Sequence, residues 1–213
     1  MGQKLTKISG VLALLTFFIS CSADLEKVND DDDRNQMSEK VIQVPPEDYL
    51  AINEVLKRWR EGYEIEDIET YISAYWSQGF RYVGDLGTDG DKTDDLLFDD
   101  IREERDAAIR VFSQFQNINI ALTVPPEITV IAENKRVEVR NHYRIQGFVP
   151  DGESFEGEFT GWYAEGDNLF IFEKRDGDWR ITEWHDEAFS EEEIHIENNQ
   201  LLPIVWTTLK QPR

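Results

Sequence analysis

The chain has 213 residues, of which 40% are hydrophobic and 12% aromatic, enough for one globular domain with tails. Its formal net charge is −22 at pH 7, so DNA, RNA and bare anionic lipid should repel it. A nucleic-acid partner is therefore not expected.

The first twenty residues have the pattern of a signal peptide. Two lysines precede Val11–Ser20, an apolar stretch of ten residues, which is too short to span a bilayer core of about 30 Å. The stretch ends at Cys21, the only cysteine, which has no intrachain disulfide partner. Its position resembles that of the lipidated cysteine of bacterial lipoproteins, and "FISC" matches the lipobox except at Phe18, where an aliphatic residue is usual. We therefore predict a lipid anchor at Cys21; the alternative is cleavage after Ala23, which would give a secreted protein.

Residues 21–46 are predicted to form an acidic spacer between this anchor and the folded part. The spacer contains "NDDDDR" and ends at Pro45-Pro46. Like charges extend a linker, and prolines stiffen it. The anchor would hold the protein on the extracytoplasmic side of the bacterial envelope. Ser22, rather than Asp, resembles the outer-membrane signal of Gram-negative lipoproteins.

Three helices are predicted from apolar residues at helical spacing. They cover about residues 48–62, 65–76 and 100–115. A short strand, Phe80–Gly84, separates the second from the third. It is followed by a polar loop, Asp85–Asp100, which is rich in Asp and Gly.

The period then changes to two, which is typical of strands. Six segments are predicted as strands: Ile118–Val124, Glu127–Glu133, Lys135–Val149, Ser154–Glu165, Asn168–Arg175 and Trp179–His185. The connections "PDGE", "GD" and "DGD" are typical of hairpin turns. The predicted fold class is α+β, with three N-terminal helices packed on a strongly curved antiparallel sheet.

This order of elements resembles the nuclear transport factor 2-like superfamily, the cone-shaped cystatin-like α+β fold, and within it the SnoaL-like group. Three stretches carry the resemblance: "YISAYWSQGFRYVG", "DIREERDAAIRVFSQFQNINIAL" and "DGDWRITEWH", the last with a His six positions after its first Trp. The resemblance assigns residues 47–189 to the domain and leaves 190–213 as a C-terminal extension. It implies a pocket between the helices and the sheet.

Alternation along Lys135–Val149 predicts which side chains line this pocket. Asn141 and Tyr143 share a face with the apolar residues of the strand, so they should point toward the helices, with His142 on the other face. Tyr82, on the short strand, is expected to line the pocket with them. Tyr82 and Tyr143 would supply hydroxyl donors.

The same rule, applied to the last strand, places Trp179, Ile181, Glu183 and His185 on one face and Asp186 on the other. With Trp179 in the core, Glu183 and His185 would lie on the concave side. A carboxylate that orients an imidazole is the arrangement of a general base. The alternative is that this end of the strand lies in solvent.

Asp85 is a third candidate base, because it follows the strand that resembles the region carrying the catalytic Asp of ketosteroid isomerases. The alternative is a solvated loop residue. Asp85, Asp89, Gly90 and Asp91 also match part of an EF-hand loop, but its twelfth position is Leu96 instead of Glu. We therefore predict no metal site, and no motif indicates a cofactor.

Two functions follow as expectations. The first is a membrane-tethered, non-catalytic domain that binds a small, partly apolar ligand or serves as an accessory protein. The alternative is an isomerase, dehydratase or hydrolase whose base is Asp85 or the Glu183–His185 pair. The apolar tail Leu201–Leu209 should dock on the domain or on a second subunit, and a homodimer through the sheet face is a further expectation.

Overall fold

A computed structural model describes residues 44–86, 93–133, 135–196 and 198–212. The predicted signal peptide, Cys21 and most of the acidic spacer lie outside the described residues, as do residues 87–92 of the polar loop. No helix in the described ranges is both long enough and apolar enough to cross a membrane.

The described part of the chain contains helices and strands in the order expected of an α+β domain. The helices are α1 (Pro46–Glu64), α2 (Ile68–Ile72), α3 (Ile101–Gln114) and α4 (Trp206–Lys210). The strands are β1 (Arg81–Gly84), β2 (Leu96–Phe98), β3 (Gln116–Leu122), β4 (Glu127–Ala132), β5 (Arg136–Phe148), β6 (Gly161–Arg175), β7 (Asp178–Ala188) and β8 (Leu201–Pro203). The prediction of three N-terminal helices is confirmed.

Local chemistry explains where these helices begin. Pro46 occupies the first turn of α1, where its missing N–H costs nothing. The side chain of Asp67 accepts hydrogen bonds from the first backbone N–H groups of α2. Asp100 and Glu103 form a capping box at the start of α3.

The sheet runs in the order β2-β1-β7-β6-β5-β3, with β4 also paired to β5 and β8 to β6. The predicted α+β fold class is confirmed. The sheet is mixed, however, because β1 pairs with β7 and β8 with β6 in parallel, while the other pairs are antiparallel. The predicted hairpin turn after Arg175 is confirmed, with positive φ values at Asp176 (50°) and Gly177 (94°).

The predicted turn at "GD" is wrong, because Gly166 and Asp167 lie inside the uninterrupted strand β6. A side chain at Gly166 would come within 2.7 Å of both the Tyr143 hydroxyl and the carbonyl oxygen of Glu187. Glycine is therefore required here for close packing rather than for a turn. The predicted strand from Ser154 also begins later, at Gly161.

The helices and the inner face of the sheet enclose a core dominated by aromatic rings. Trp59, Trp162, Trp184 and Trp206 are all fully buried. The ring of Trp59 on α1 packs edge-on against that of Trp184 on β7, with 5.4 Å between centroids. We call the space enclosed by α1, α2, α3 and the inner sheet face the cone interior.

The C-terminal residues pack into this same interior. β8 pairs with β6 at Gly161–Tyr163, and α4 then enters the cone. The ring of Trp206 lies 5.3 Å from the rings of Tyr63, Tyr143 and Trp184. The apolar tail therefore docks on its own domain.

Candidate functional site: the cone interior and its rim

A β-bulge in β7 decides which of its side chains face the cone interior. The register with β6 shifts between Ile171 and Phe172, and Thr182 is the extra residue on β7. Because side chains of a strand alternate between its faces, the extra residue moves every later side chain to the opposite face. Trp184 and Asp186 consequently point inward.

The predicted pocket pair Glu183–His185 is therefore wrong: both side chains lie on the outer sheet face, 30% and 35% exposed. The Glu183 carboxylate lies 3.5 Å from Nε2 of His185 and accepts a hydrogen bond of 2.5 Å from Arg136. Neither residue lines the cone interior. Their partial exposure agrees better with the alternative, in which this end of the strand lies in solvent.

Asp186, predicted to point away from the pocket, is instead a carboxylate of the cone interior with 1% exposure. The Tyr143 hydroxyl donates to Oδ1 at 2.7 Å, and Tyr82 and Thr207 donate to Oδ2 at 3.2 and 3.1 Å. Burial raises the pKa of Asp186 above its ordinary value, and the three hydroxyls and the nearby Lys210 partly oppose this shift.

A second buried carboxylate, Glu104 on α3, pairs with Lys210 of α4, and both side chains are completely buried. The Lys210 ammonium donates to the two oxygens of Glu104 at 2.9 and 3.1 Å. It also lies 3.5 Å from the ring centroid of Trp184 and 4.1 Å from that of Tyr82. Burial lowers the pKa of Lys210, and the neighbouring carboxylates partly restore it.

A chain of hydroxyls extends this network toward α1. The Tyr71 hydroxyl donates to Glu104 at 2.6 Å and accepts from Tyr75 at 2.9 Å. The indole of Trp59 donates to Tyr75 at 2.7 Å. All four carboxylate oxygens of Asp186 and Glu104 thus accept hydrogen bonds from the chain itself.

The remaining predicted residues occupy different environments. Tyr82 and Tyr143 are fully buried inside the cone, and Asn141 and Trp179 are nearly so, at 6% and 3% exposure. Asp85 is half-buried just after β1, where its N–H donates to the carbonyl of Asp186 at 2.9 Å. Among the described residues, no three His, Cys, Asp or Glu side chains cluster closely enough to hold a metal ion.

Glu104 and Lys210 were not among the residues predicted from the sequence, although both carried a signal, and Asp186 was assigned to the wrong face of its strand. Glu104 follows Ile101 at helical spacing on the buried face of α3. Lys210 stands four residues after Trp206, at the end of an apolar run. A charge at a core position of an amphipathic helix indicates a buried pair.

Two openings lie at the rim, on either side of the turn that joins β3 to β4. One, of about 170 Å³, lies against α1 and reaches Asn141. The other, of about 270 Å³, reaches Asn141 and Asn168 from the edge of β5. These two openings, unlike the filled centre of the cone, offer space to a ligand.

A scan against protein-family models found no match, and a search of curated proteins found no significant relative. Solved structures do match. A protein of unknown function with a cystatin-like fold from Nostoc punctiforme is 14% identical, with 69% of this chain and 95% of that chain covered and a TM-score of 0.51. A candidate scytalone dehydratase from Novosphingobium aromaticivorans is 9% identical, with 73% and 93% covered and a TM-score of 0.54. A candidate aromatic ring hydroxylase from the same species is 18% identical, with 68% and 92% covered and a TM-score of 0.52.

The chain has the cystatin-like α+β fold, which is the fold that the sequence resemblance implied. The predicted resemblance is thereby confirmed at the level of the fold. Because these identities are low and the neighbours are named for different activities, the structural similarity assigns no activity to this domain.

Proposed function

We propose that this chain is a lipid-anchored, non-catalytic ligand-binding or accessory domain of the bacterial envelope. The observation that supports the proposal is the filling of the cone interior by the chain's own residues Trp206–Lys210. A substrate cannot occupy the same space while α4 is in place.

The hydrogen bonding of the interior carboxylates supports a structural role. A general base must come within about 2.6–3.2 Å of the proton that it removes. Glu104 is fully buried and paired with Lys210, and Asp186 is buried under three hydroxyl donors. Both carboxylates are at most 1% exposed, and all of their oxygens accept hydrogen bonds from described residues.

An enzyme remains the second candidate, and one observation favours it. Asp186, whose pKa is raised by burial, lies beside the hydroxyls of Tyr82 and Tyr143. A carboxyl group with a raised pKa next to hydroxyl donors is suited to general acid–base chemistry. This candidate requires α4 to leave the cone, and its base would be Asp186 rather than Glu183 or His185.

The anchor belongs to the same proposal. Lipidation of Cys21 would leave residues 22–43 as a tether, ahead of the first described residue, Val44. The intact mass of the membrane-fraction protein tests this directly. A mature N-terminus at Asp24 without added lipid would exclude the anchor.

Native mass spectrometry of the mature protein, purified from its own envelope, tests the binding function. We expect a bound small molecule that is released chemically unchanged after prolonged incubation. Conversion that is lost in Asp186→Asn, but retained in the surface variant His185→Ala, would replace the binding proposal with the enzyme.

A further inference from the structure

We propose that the opening against α1, here called the α1 cleft, binds a small organic anion: a short carboxylate with an apolar tail. This inference rests on the proposed function, because it names a site and a ligand class for a binding domain whose cone is filled.

The lining of the α1 cleft combines apolar side chains with nitrogen donors. It consists of Asn53, Leu56, Lys57, Arg60, Leu122, Thr123, Val124, Pro126 and Asn141. No carboxylate is among these residues, although the chain as a whole has 44 Asp and Glu against 22 Lys and Arg. Two cations, Lys57 and Arg60, stand one helical turn apart on α1. The lining is therefore cationic, although Glu61 and Glu64, which are not part of it, lie 3.8 and 3.6 Å from Arg60.

A relay of three side chains fixes the orientation of the Asn141 amide. The indole of Trp184 donates to Oδ1 of Asn168 at 2.7 Å. Nδ2 of Asn168 must then be the donor to Oδ1 of Asn141, at 3.3 Å. Nδ2 of Asn141 remains without a hydrogen-bond partner in the described part of the chain, although the residue is only 6% exposed.

Arg60, on α1, supplies a second donor to the lining of the cleft. Its Nε is buried and lacks a hydrogen bond among the described residues. The carboxylates of Glu64 and Glu61 lie 3.6 and 3.8 Å from its guanidinium, beyond hydrogen-bond distance. A buried N–H without an acceptor costs free energy, which a bound oxygen would recover.

These features together select a carboxylate. Its two oxygens can accept one hydrogen bond from Asn141 and one from Arg60, and Lys57 adds charge. The tail would contact Leu56 and Leu122. The volume of about 170 Å³ is below the roughly 300–1,000 Å³ of pockets for drug-sized ligands, which favours a short tail.

The neighbouring opening differs in its charge. Glu127 and Asp167 contribute carboxylates to its lining beside Arg140 and His142. His142 already contacts Asp167 at 2.9 Å and Glu165 at 2.8 Å. The anion site is therefore assigned to the α1 cleft alone.

Titration of the mature chain by ¹⁵N NMR, with the Asn141 side-chain amide as the reporter, tests the site. Sodium butyrate should shift this signal saturably, and butyramide, a neutral molecule of similar size, should bind at least tenfold more weakly. Inorganic phosphate, which lacks an apolar tail, should also bind at least tenfold more weakly than butyrate.

Matched variants test whether butyrate binding depends on the two cations of the α1 cleft. Lys57→Gln combined with Arg60→Gln should weaken butyrate binding at least tenfold, whereas Arg58→Gln, on the same helix outside the lining, should change it less than twofold. No saturable shift at Asn141, or equal binding of butyrate and butyramide, would overturn the inference.

The outcome separates this inference from the proposed function. If butyrate does not bind and native mass spectrometry still finds an unchanged ligand, the α1 cleft is wrong and the binding function stands. If butyrate binds in the cleft and the protein also converts a substrate through Asp186, the cleft stands and the non-catalytic function is wrong.

Discussion

The two faces of β7 carry similar residues in opposite environments. On the outer face Glu183 contacts Arg136 and His185, with side chains 30–41% exposed. Behind the same strand, Asp186 and the Glu104–Lys210 pair are at most 1% exposed. Water screens the outer charges, so their pairing contributes little, whereas each inner charge must be matched within the fold. The degree of burial, rather than the residue types, therefore decides which of the two clusters contributes strongly to the stability of the fold.

Inserting one alanine after Thr182 should have the largest effect, because β7 already carries one extra residue and a second one exchanges its two faces downstream of the bulge. Glu183 and His185 would turn into the aromatic core, and Trp184 and Asp186 would turn outward. We expect the loss of the near-UV circular dichroism signal and of a cooperative urea transition.

Thr182→Val is the control for this insertion. It keeps the number of residues and removes the hydrogen bond from Thr182 to the carbonyl of Ile171, 3.1 Å long. We expect a native fold that is about 0.5–1.5 kcal/mol less stable. An insertion variant with native near-UV dichroism would contradict the account of the bulge.

Lys210→Met compared with Arg136→Met measures the difference between the faces directly. Removing Lys210 leaves the buried Glu104 without its cation, which should lower the free energy of unfolding by about 3–5 kcal/mol. Removing Arg136 from the half-exposed Glu183 should cost about 0–1 kcal/mol. Urea denaturation gives both values, and equal losses would refute the contrast.

The pH dependence of stability should have opposite signs at two aspartates. Burial raises the pKa of Asp186. Burial also opposes ionisation of Asp48, but its hydrogen bonds from Lys174 and Trp179, 2.7 and 2.8 Å long, lower the pKa of that carboxyl. In the unfolded chain both should titrate near pH ~3.9.

Asp186 then binds more protons in the folded state, so its stabilising contribution is present below pH ~3.9 and is lost as the pH rises through the folded pKa. Asp48 contributes above pH ~3.9 and loses its contribution as the pH falls through its lowered folded pKa. Urea denaturation from pH 3 to 7 should show wild type losing stability relative to Asp186→Asn as the pH rises, and gaining relative to Asp48→Asn. If the two stability differences changed with pH in the same direction, one of the two assigned pKa shifts would be wrong.

The smallest changes in stability should come from substitutions of Glu183 and His185, the pair predicted from the sequence as a general base. His185→Ala and Glu183→Gln should each change the free energy of unfolding by less than about 1 kcal/mol, because both side chains are partly exposed on the outer face. A loss above about 2 kcal/mol in either variant, measured by urea denaturation, would show that the pair is structural.

Regular periodicity made most of the fold predictable. The apolar stripe of α1 and the alternation of β5 assigned Ile52, Trp59, Asn141 and Tyr143 to the inside, where the structure has them. These elements could be predicted because no insertion interrupts their period.

The interior site could not be predicted, because a bulge changes the phase of a strand without a distinctive residue. Thr182 suits either a regular strand or a bulge, and "WRITEWH" has apolar residues in both phases. Trp184, an aromatic residue on the face assigned to solvent, was the one sign of the shift. The contacts of Lys210 with α3 depend on a segment 106 residues away in sequence, which local patterns do not reveal.

Native-state hydrogen exchange of the C-terminal segment tests the central claim most directly, that the chain's own residues close the cone. The amide of Ile204 donates to Tyr163 at 2.9 Å, and the side chains of Trp206, Thr207 and Lys210 are buried. We predict that the hydrogen-bonded amides of Ile204–Lys210 exchange with solvent as slowly as the most protected amides of β5 and β6, because their exchange requires global unfolding. Exchange as fast as at the exposed turn Asp176-Gly177, with the core still protected, would contradict the account.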